Sequence, residues 1–358
     1  MFENRRSGES GRNAESGRTR GNDGTRGNDG TRGNDGTSGT RGTRRNAGTR
    51  SRRAAVAAAA ALAVAAPLTL VASGDAGATG TVWAAAARPI VFARYDTAAP
   101  VEDLYAIAPA GGLPVKLTHT PAVSEVMPSW SPDGKRVAFL RYGSGGAIDG
   151  IWTMKSAGGD LKPVPGTKGA SDPAWSPDGK RIAYSKPAGT QREIYVADVD
   201  GSPTTRLTHS PQDEFHPTWS PDGKNLAFSR ADTASGNSRL MRIQLATLTQ
   251  TPITLAGSHD WTPDWSRTGR IVFSRVDTTG FAHLYVIRPD GSGTQRITSA
   301  RANDKYPSWS PDGRRVVFTR GGTDDADPEH LFLVRADGTA LTQLTTTDSH
   351  DLEADWRP

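Results

Sequence analysis

The 358-residue chain contains no cysteine. That excludes a disulfide frame, a thiol nucleophile, a thiolate metal site and a lipid anchor on cysteine. Three catalytic or nucleotide-binding signatures are also missing. There is no G-x-S-x-G nucleophile elbow, no G-x-x-x-x-G-K-[ST] phosphate loop and no G-x-G-x-x-G dinucleotide loop. Long apolar runs are scarce: one occurs, 19 uncharged and mostly apolar residues from Ala54 to Ala72. Basic charge is scarce where it would matter. The formal net charge is +5, but residues 1–53 hold 13 Arg against 6 acids, a balance of +7. The remainder has 43 − 13 = 30 basic and 38 − 6 = 32 acidic residues, or −2. The globular part therefore exerts no general pull on nucleic acid.

Residues 1–53 include three copies of TRGNDG at 19–36 and almost no apolar side chains. Such a segment cannot offset its ordering entropy by burial, so the reading is a disordered low-complexity tail. Its interspersed acids and scarce aromatics argue against a nucleic-acid arm. Residues 54–78 follow Arg52-Arg53 and end in Ala76-Gly77-Ala78. Charge, apolar run and small-residue site have the layout of an export signal. The run is mostly alanine, which favours a cleaved signal over a permanent anchor, although its length allows one. Ser51-Arg52-Arg53 is a weak twin-arginine feature, because Ala55 stands where a bulky apolar residue is usual. The leader is long for a signal, which a misplaced start codon would explain. Residues 79–87 read as a linker.

From residue 88 onward a repeat dominates. PSWSPDGKRVAF (128–139) returns as PAWSPDGKRIAY (173–184), PTWSPDGKNLAF (217–228) and PSWSPDGRRVVF (307–318), with a weaker copy, PDWSRTGRIVF, from Pro263. The marker tryptophans Trp130, Trp175, Trp219, Trp265, Trp309 and Trp356 are spaced by 45, 44, 46, 44 and 47 residues. A second marker, as in IYVADVDGSPTTRLT from Ile194, supplies two more short β-rich runs per repeat. The 40 Gly and 24 Pro fit many turns rather than long helices. A period in the forties with four strands, A to D, predicts propeller blades.

Ser-Pro-Asp-Gly predicts a tight A–B turn. Proline presets φ at the second position and glycine takes the left-handed position that closes the loop. The tryptophan before it, on an inner strand, would wedge between blades, and truncating such a residue typically costs about 3–5 kcal/mol. The last copy stops at Trp356, just before its turn, and RPIVFAR (88–94) looks like the strand after a missing turn. Five complete repeats and one split repeat predict six blades over 88–358. The ring closes when the C-terminal strand (354–357) pairs with the N-terminal strand (89–94), which removes the open sheet edges.

The W-S-P-D-G repeat with its I-Y-V…D-G partner resembles the β-propeller repeat of the TolB family, over nearly all of 88–358. Related repeats occur in the propellers of tricorn-type and prolyl-oligopeptidase-type peptidases. The resemblance implies the all-β fold, while function has to come from the site. TolB has a further N-terminal α/β domain, whereas here a tail and a signal hold that position. The resemblance therefore does not carry over TolB's partner and transport role.

The uniform A–B and C–D turns fall on one side of such a ring. The variable D–A and B–C loops, as at 142–150, 231–238 and 321–329, fall on the other, where recognition is expected. Five D–A loops carry an acid five residues before the tryptophan: Glu125, Glu214, Asp260, Asp304 and Asp351. Blade 2 has Ala170, with Asp172 close by. Strand B ends in a base in every blade: Arg94, Arg141, Lys186, Arg230, Arg275 and Arg320. Two readings compete. The acids form a channel-mouth ring that grips a cationic partner, or each pairs with a base of its own or the next blade.

His216, His259, His350 and Tyr306 join the acids as candidates for the channel mouth. In similar six-bladed sugar lyases, histidines on this face hold a metal. Here the three histidines come from different blades, two of them not neighbours, and no metal or other cofactor is assigned. His119 and His209 follow Leu-Thr and read as turn residues. The leading expectation is an exported, monomeric, non-catalytic propeller that binds an envelope or extracellular protein or peptide through the D–A/B–C face. The alternatives are a sugar lyase or hydrolase working at the channel mouth, and a sensor anchored by 54–72.

Overall fold

The computed structural model describes residues 89–96, 99–143, 145–201, 203–232, 236–322 and 327–358. The tail, signal and linker expected over 1–53, 54–78 and 79–87 lie outside these residues. Among the described residues there are twenty-four strands and no helix, hence none long and apolar enough to cross a membrane.

The strands form six four-stranded antiparallel sheets. β1 (Ile90–Asp96), β2 (Ala99–Ile107) and β3 (Val115–Lys116) are strands B, C and D of blade 6. Blade 1 is β4 (Ser124–Trp130), β5 (Arg136–Tyr142), β6 (Ile148–Lys155) and β7 (Lys162–Pro163). Blade 2 is β8 (Ser171–Trp175), β9 (Arg181–Ala188), β10 (Gln191–Asp198) and β11 (Thr204–Arg206). Blade 3 is β12 (Glu214–Trp219), β13 (Asn225–Ala231), β14 (Ser238–Gln244) and β15 (Gln250–Pro252). Blade 4 is β16 (Asp260–Trp265), β17 (Ile271–Val276), β18 (Ala282–Ile287) and β19 (Gln295–Arg296). Blade 5 is β20 (Asn303–Trp309), β21 (Arg315–Gly321), β22 (His330–Arg335) and β23 (Thr342–Gln343). Finally β24 (His350–Trp356) completes blade 6 by pairing with β1, from Ile90 opposite Trp356 to Tyr95 opposite His350. The ring closes as the split repeat predicts.

The turns follow the side-chain chemistry of the repeat. In blade 1 the Gly134 N–H donates to Ser131 O at 2.8 Å, and Gly134 has φ +65°. Asp133 Oδ1 accepts from the Ser131 hydroxyl (2.7 Å) and the Lys135 N–H (3.0 Å). The same bonds recur at Ser176, Ser220 and Ser310. Blade 4 substitutes Thr268 for the aspartate and keeps the turn through a Ser266–Thr268 hydroxyl pair. A second sixfold bond caps strand C. The threonine of each Leu-Thr or equivalent pair, as Thr118, Thr208 or Thr345, accepts the N–H of Leu104, Ile194 or Leu331.

Strand B is buried on both faces and supplies the largest core side chains: Phe92, Phe139, Tyr184, Phe228, Phe273 and Phe318. The marker tryptophans wedge between blades. Trp130 packs with Val91 and Leu104 of blade 6, and Trp309 with Val272 and Leu284 of blade 4. Arginines from adjoining blades stack on some of them, Arg181 on Trp219 at 4.8 Å and Arg357 on Trp130 at 5.5 Å. Apolar contact between sheets, rather than any one blade, therefore makes the core.

Candidate functional site

Every innermost strand carries a β-bulge at the same place. In blade 1 the pairing passes from Val126–Leu140 to Ser129–Ala138, so Met127 and Pro128 oppose the single residue Phe139. The other blades repeat this at Asp172-Pro173, His216-Pro217, Thr262-Pro263, Tyr306-Pro307 and Glu353-Ala354. Proline suits the position because a bulge leaves one residue outside the ladder, where a missing N–H costs nothing. The residue before it is left-handed in all six: Met127, Asp172, His216, Thr262, Tyr306 and Glu353 have φ of 53°, 57°, 51°, 47°, 50° and 55°. Such backbone costs of order 1–3 kcal/mol for a non-glycine residue and tends to persist where it aims a side chain.

Here it aims them at the ring axis. The six side chains, with Ser129, Ala174, Thr218, Asp264, Ser308 and Asp355 two residues further on, line a cavity of about 150 Å³ between the inner strands. That is close to the size of a cavity that takes one benzene-sized ligand. No lysine or arginine lines it among the described residues, whereas four carboxylates do.

Three of those carboxylates latch one blade to another. Asp355 Oδ2 accepts the Trp130 N–H at 2.6 Å and Oδ1 the Ser308 hydroxyl at 3.0 Å. Asp264 Oδ2 accepts the Trp309 N–H at 2.8 Å. Glu353 Oε2 accepts the Met127 N–H at 2.7 Å. Burial pushes Asp355 up to about 7 and Glu353 up to about 7, against the lowering effect of these N–H bonds, and neighbouring Asp264 and Asp172 charges add to the rise. Burial likewise pushes Asp264 up to about 6. The fourth, Asp172, accepts from Ser171 (3.0 Å) and Ser185 (2.5 Å) and lies 3.7 Å from His216 Nε2. Ring contacts form a chain, His216 to Tyr306 (6.5 Å), Tyr306 to Trp261 (6.4 Å) and Trp261 to His259 (6.1 Å). Burial, then the Glu353 charge, holds the Tyr306 phenol well above its ordinary value.

The acids five residues before each tryptophan sit elsewhere than at an open mouth. Glu125, Glu214, Asp260, Asp304 and Asp351 are all fully buried. Four pair with the base of strand B in their own blade: Arg94–Asp351 (2.6 Å), Arg230–Glu214 (2.5 Å), Arg275–Asp260 (2.5 Å) and Arg320–Asp304 (2.6 Å). These guanidiniums also stack on strand B and C rings, as Arg320 does on Phe318 and Phe332. As a ring that touches a partner directly, the five acids are therefore corrected: all five are buried, four of them in ion pairs within their own blade.

Two blades depart from that pattern. In blade 1, Arg141 stacks on Trp152 at 4.3 Å, and both Glu125 oxygens are without a hydrogen bond of normal length. Burial raises the Glu125 pKa, and the hydroxyls of Thr118 and Thr120 offset this in part. In blade 2, which has Ala170, the Lys186 ammonium donates to Gly166 O at 2.8 Å.

Of the other candidates, His216 and Tyr306 line the cavity, while His259 and His350 flank it, packed on Trp261 and Tyr95. Among the described residues no group of three His, Asp or Glu is placed to hold a metal. His119 and His209 are exposed, in the loop that follows strand D of their blades. Sequence reasoning did not single out Met127, Asp172, Thr262 and Glu353 as members of one ring. The signal is visible in hindsight: three residues before each tryptophan, an otherwise uniform repeat reads Met, Asp, His, Thr, Tyr and Glu.

The chain matches the family model PD40, TolB beta propeller domain, over residues 103–358. It is 30% identical over 128 residues to the Protein TolB homolog of Chlorobium luteolum, a stretch covering 36% of this chain and 28% of that one. Among solved structures it resembles TolB from Acinetobacter baumannii (TM-score 0.66, 21% identity, 75% of this chain and 66% of that one). It also resembles putative TolB from Agrobacterium tumefaciens (TM-score 0.58, 24% identity, 75% of this chain and 90% of that one). With its repeated WSPDG-type turns, six four-stranded blades and closing strand, this chain belongs to the TolB beta propeller domain family.

Proposed function

We propose that this protein is an exported, non-catalytic propeller of the cell envelope. It binds a protein or peptide partner through the D–A/B–C loop face, with the channel ring as the floor of the site. One observation carries the reading: six equivalent, left-handed positions hold six different side chains around one axis. A scaffold role alone would favour one well-suited residue at every copy, as the turns do. Six different residues make an asymmetric surface inside a symmetric frame, which is what recognition of a single partner requires. The waist admits one side chain or a chain end, so the bulk of a partner would lie on the loops above it.

The test is a crosslinking capture from envelope extract with the full chain as bait. It is repeated with a ring variant, Tyr306→Phe with Glu353→Gln, and a turn-face variant, Lys180→Gln with Lys224→Gln, each matched to the parent in melting temperature. The parent and turn-face variant are expected to hold the same partner, and the ring variant to lose about tenfold or more, a difference of roughly 1.4 kcal/mol. Equal capture by all three would remove the ring from the site, and no partner for the parent would overturn the binding role. Export is tested separately by the mature N-terminus, expected directly after Ala78.

A further inference from the structure

The opposite face of the ring carries a second cavity, independent of the channel. It lies between the A–B turns of blades 4 and 5 and has a volume of about 650 Å³. Four arginines line it: Arg270 from blade 4, and Arg314, Arg315 and Arg335 from blade 5. Two acids share the lining, but each is turned into its own hairpin. Asp312 Oδ1 accepts from the Ser310 hydroxyl (2.6 Å) and the Arg314 N–H (3.1 Å). Asp337 Oδ1 accepts from the Thr339 N–H (2.9 Å) and hydroxyl (2.7 Å). The local balance is thus four positive charges against two.

The guanidiniums act on the two acids at a distance, Arg314 and Arg315 on Asp312 and Arg335 on Asp337, without contacting them. Among the described residues no carboxylate lies within ion-pair distance of any of the four. Blades 1 and 2 differ on the same face: Arg136 reaches Asp160 at 3.2 Å, Lys135 reaches Asp133 at 3.8 Å and Arg181 reaches Asp178 at 3.9 Å. The frame around the arginines is fixed. The Arg315 Cζ sits over the Trp356 ring, 5.0 Å from its centroid. The two turns touch so closely that a Cβ on Gly313 would fall 2.7 Å from Thr268 Cγ2.

We propose that this inter-blade cavity is an anion site for a phosphate ester or diphosphate group, held by Arg270, Arg314 and Arg335. Guanidinium is suited to this ligand because its fork of donors matches phosphate oxygens two at a time. A volume in the range of small-molecule pockets leaves room for the group that bears the phosphate. The phosphate is supplied either by a soluble ester or by a lipid headgroup, and the two are separated by experiment.

The full chain is titrated calorimetrically with inorganic pyrophosphate at low ionic strength. It is then sedimented with phosphatidylcholine vesicles with and without phosphatidylglycerol. Arg314→Gln with Arg335→Gln is compared with Lys135→Gln with Lys180→Gln, which removes the same charge from the same face. Pyrophosphate is expected to bind the parent. Its affinity should fall about tenfold or more in the arginine variant and less than about twofold in the lysine variant. Vesicle binding that tracks the arginine variant assigns a lipid headgroup, and pyrophosphate binding without it assigns a soluble ester. No binding to the parent, or equal losses in the two variants, overturns the site. The arginine-rich tail is common to all forms, so only differences between variants are read.

Discussion

Asp355 and Trp130 join the two ends of the ring. The Asp355 carboxylate, on the last strand, accepts the backbone N–H of Trp130, in the first complete blade, at 2.6 Å. The bond is charge-assisted once the carboxylate ionises, above about pH 7, and sits beside the strand pairing that closes blade 6. Asp355→Ala leaves that N–H without its acceptor and is expected to destabilise by about 1–3 kcal/mol in urea unfolding. Asp355→Asn keeps an acceptor oxygen and should lose less. Equal losses would mean that charge, not the bond, makes the latch.

The raised carboxylates give stability a pH slope of definite sign. Asp355 and Glu353 at about 7 and Asp264 at about 6 hold protons in the folded state that the unfolded chain releases near its ordinary carboxylate values. Folding is therefore favoured most below those unfolded values, and this contribution is lost as pH rises toward 7. Asp178, Asp222 and Asp312 work the other way, because serine hydroxyls hold their pKa below the ordinary value and their contribution is lost as pH falls. The melting temperature should thus peak at about pH 4, where the two effects cross. In the Glu353→Gln, Asp355→Asn double variant the decline from pH 5 to 8 should flatten. An unchanged decline would show that channel water keeps these groups ordinary.

The fold was legible in the sequence because the repeat writes the same physics six times. The Ser131–Asp133–Gly134 turn, the Trp130 wedge and the split blade all follow from residue type and spacing. The candidate site was legible only in part. Reading Glu214 or Asp304 as a surface acid or a buried partner needs the register that sets it opposite Arg230 or Arg320. Strand alternation predicts which face a side chain takes only while the ladder is regular. The bulges at Met127 and its five equivalents reset that alternation, so the ring became visible only once the pairing was known.

The strand B arginines separate into two kinds. Arg320 holds buried Asp304 through two bonds, at 2.6 and 2.9 Å. Arg320→Leu leaves that carboxylate buried and unpaired, with an expected cost of about 3–5 kcal/mol. Arg141→Leu in blade 1 removes a stack on Trp152 and no ion pair. Both residues are half-buried, so its cost should be nearer the ~1–2 kcal/mol of a partly desolvated cation–π contact. Denaturant midpoints of the two variants decide this, and similar losses would mean that Arg141 and Glu125 are paired in solution.

The ring of left-handed residues makes a prediction about strain. Thr262, at φ 47°, is β-branched, the side-chain class least suited to that region, and it is buried. Asparagine tolerates the region well, because its short amide bonds locally and it lacks the branched β-carbon. Thr262 otherwise contributes a long hydroxyl contact to Ser274, 3.2 Å, which an asparagine amide could replace. Thr262→Asn is therefore expected to raise stability by about 0.5–1 kcal/mol, part of the roughly 1–2 kcal/mol that left-handed backbone costs. Thr218→Asn is the control. Thr218 is not left-handed, and its hydroxyl oxygen accepts the Trp265 N–H at 3.1 Å, so the same exchange should lower stability there. A gain at 262 with a loss at 218 locates the strain in the bulge. A loss of equal size at both would mean that the bulge accommodates threonine without strain, and that its six left-handed residues owe their conformation to the ladder alone.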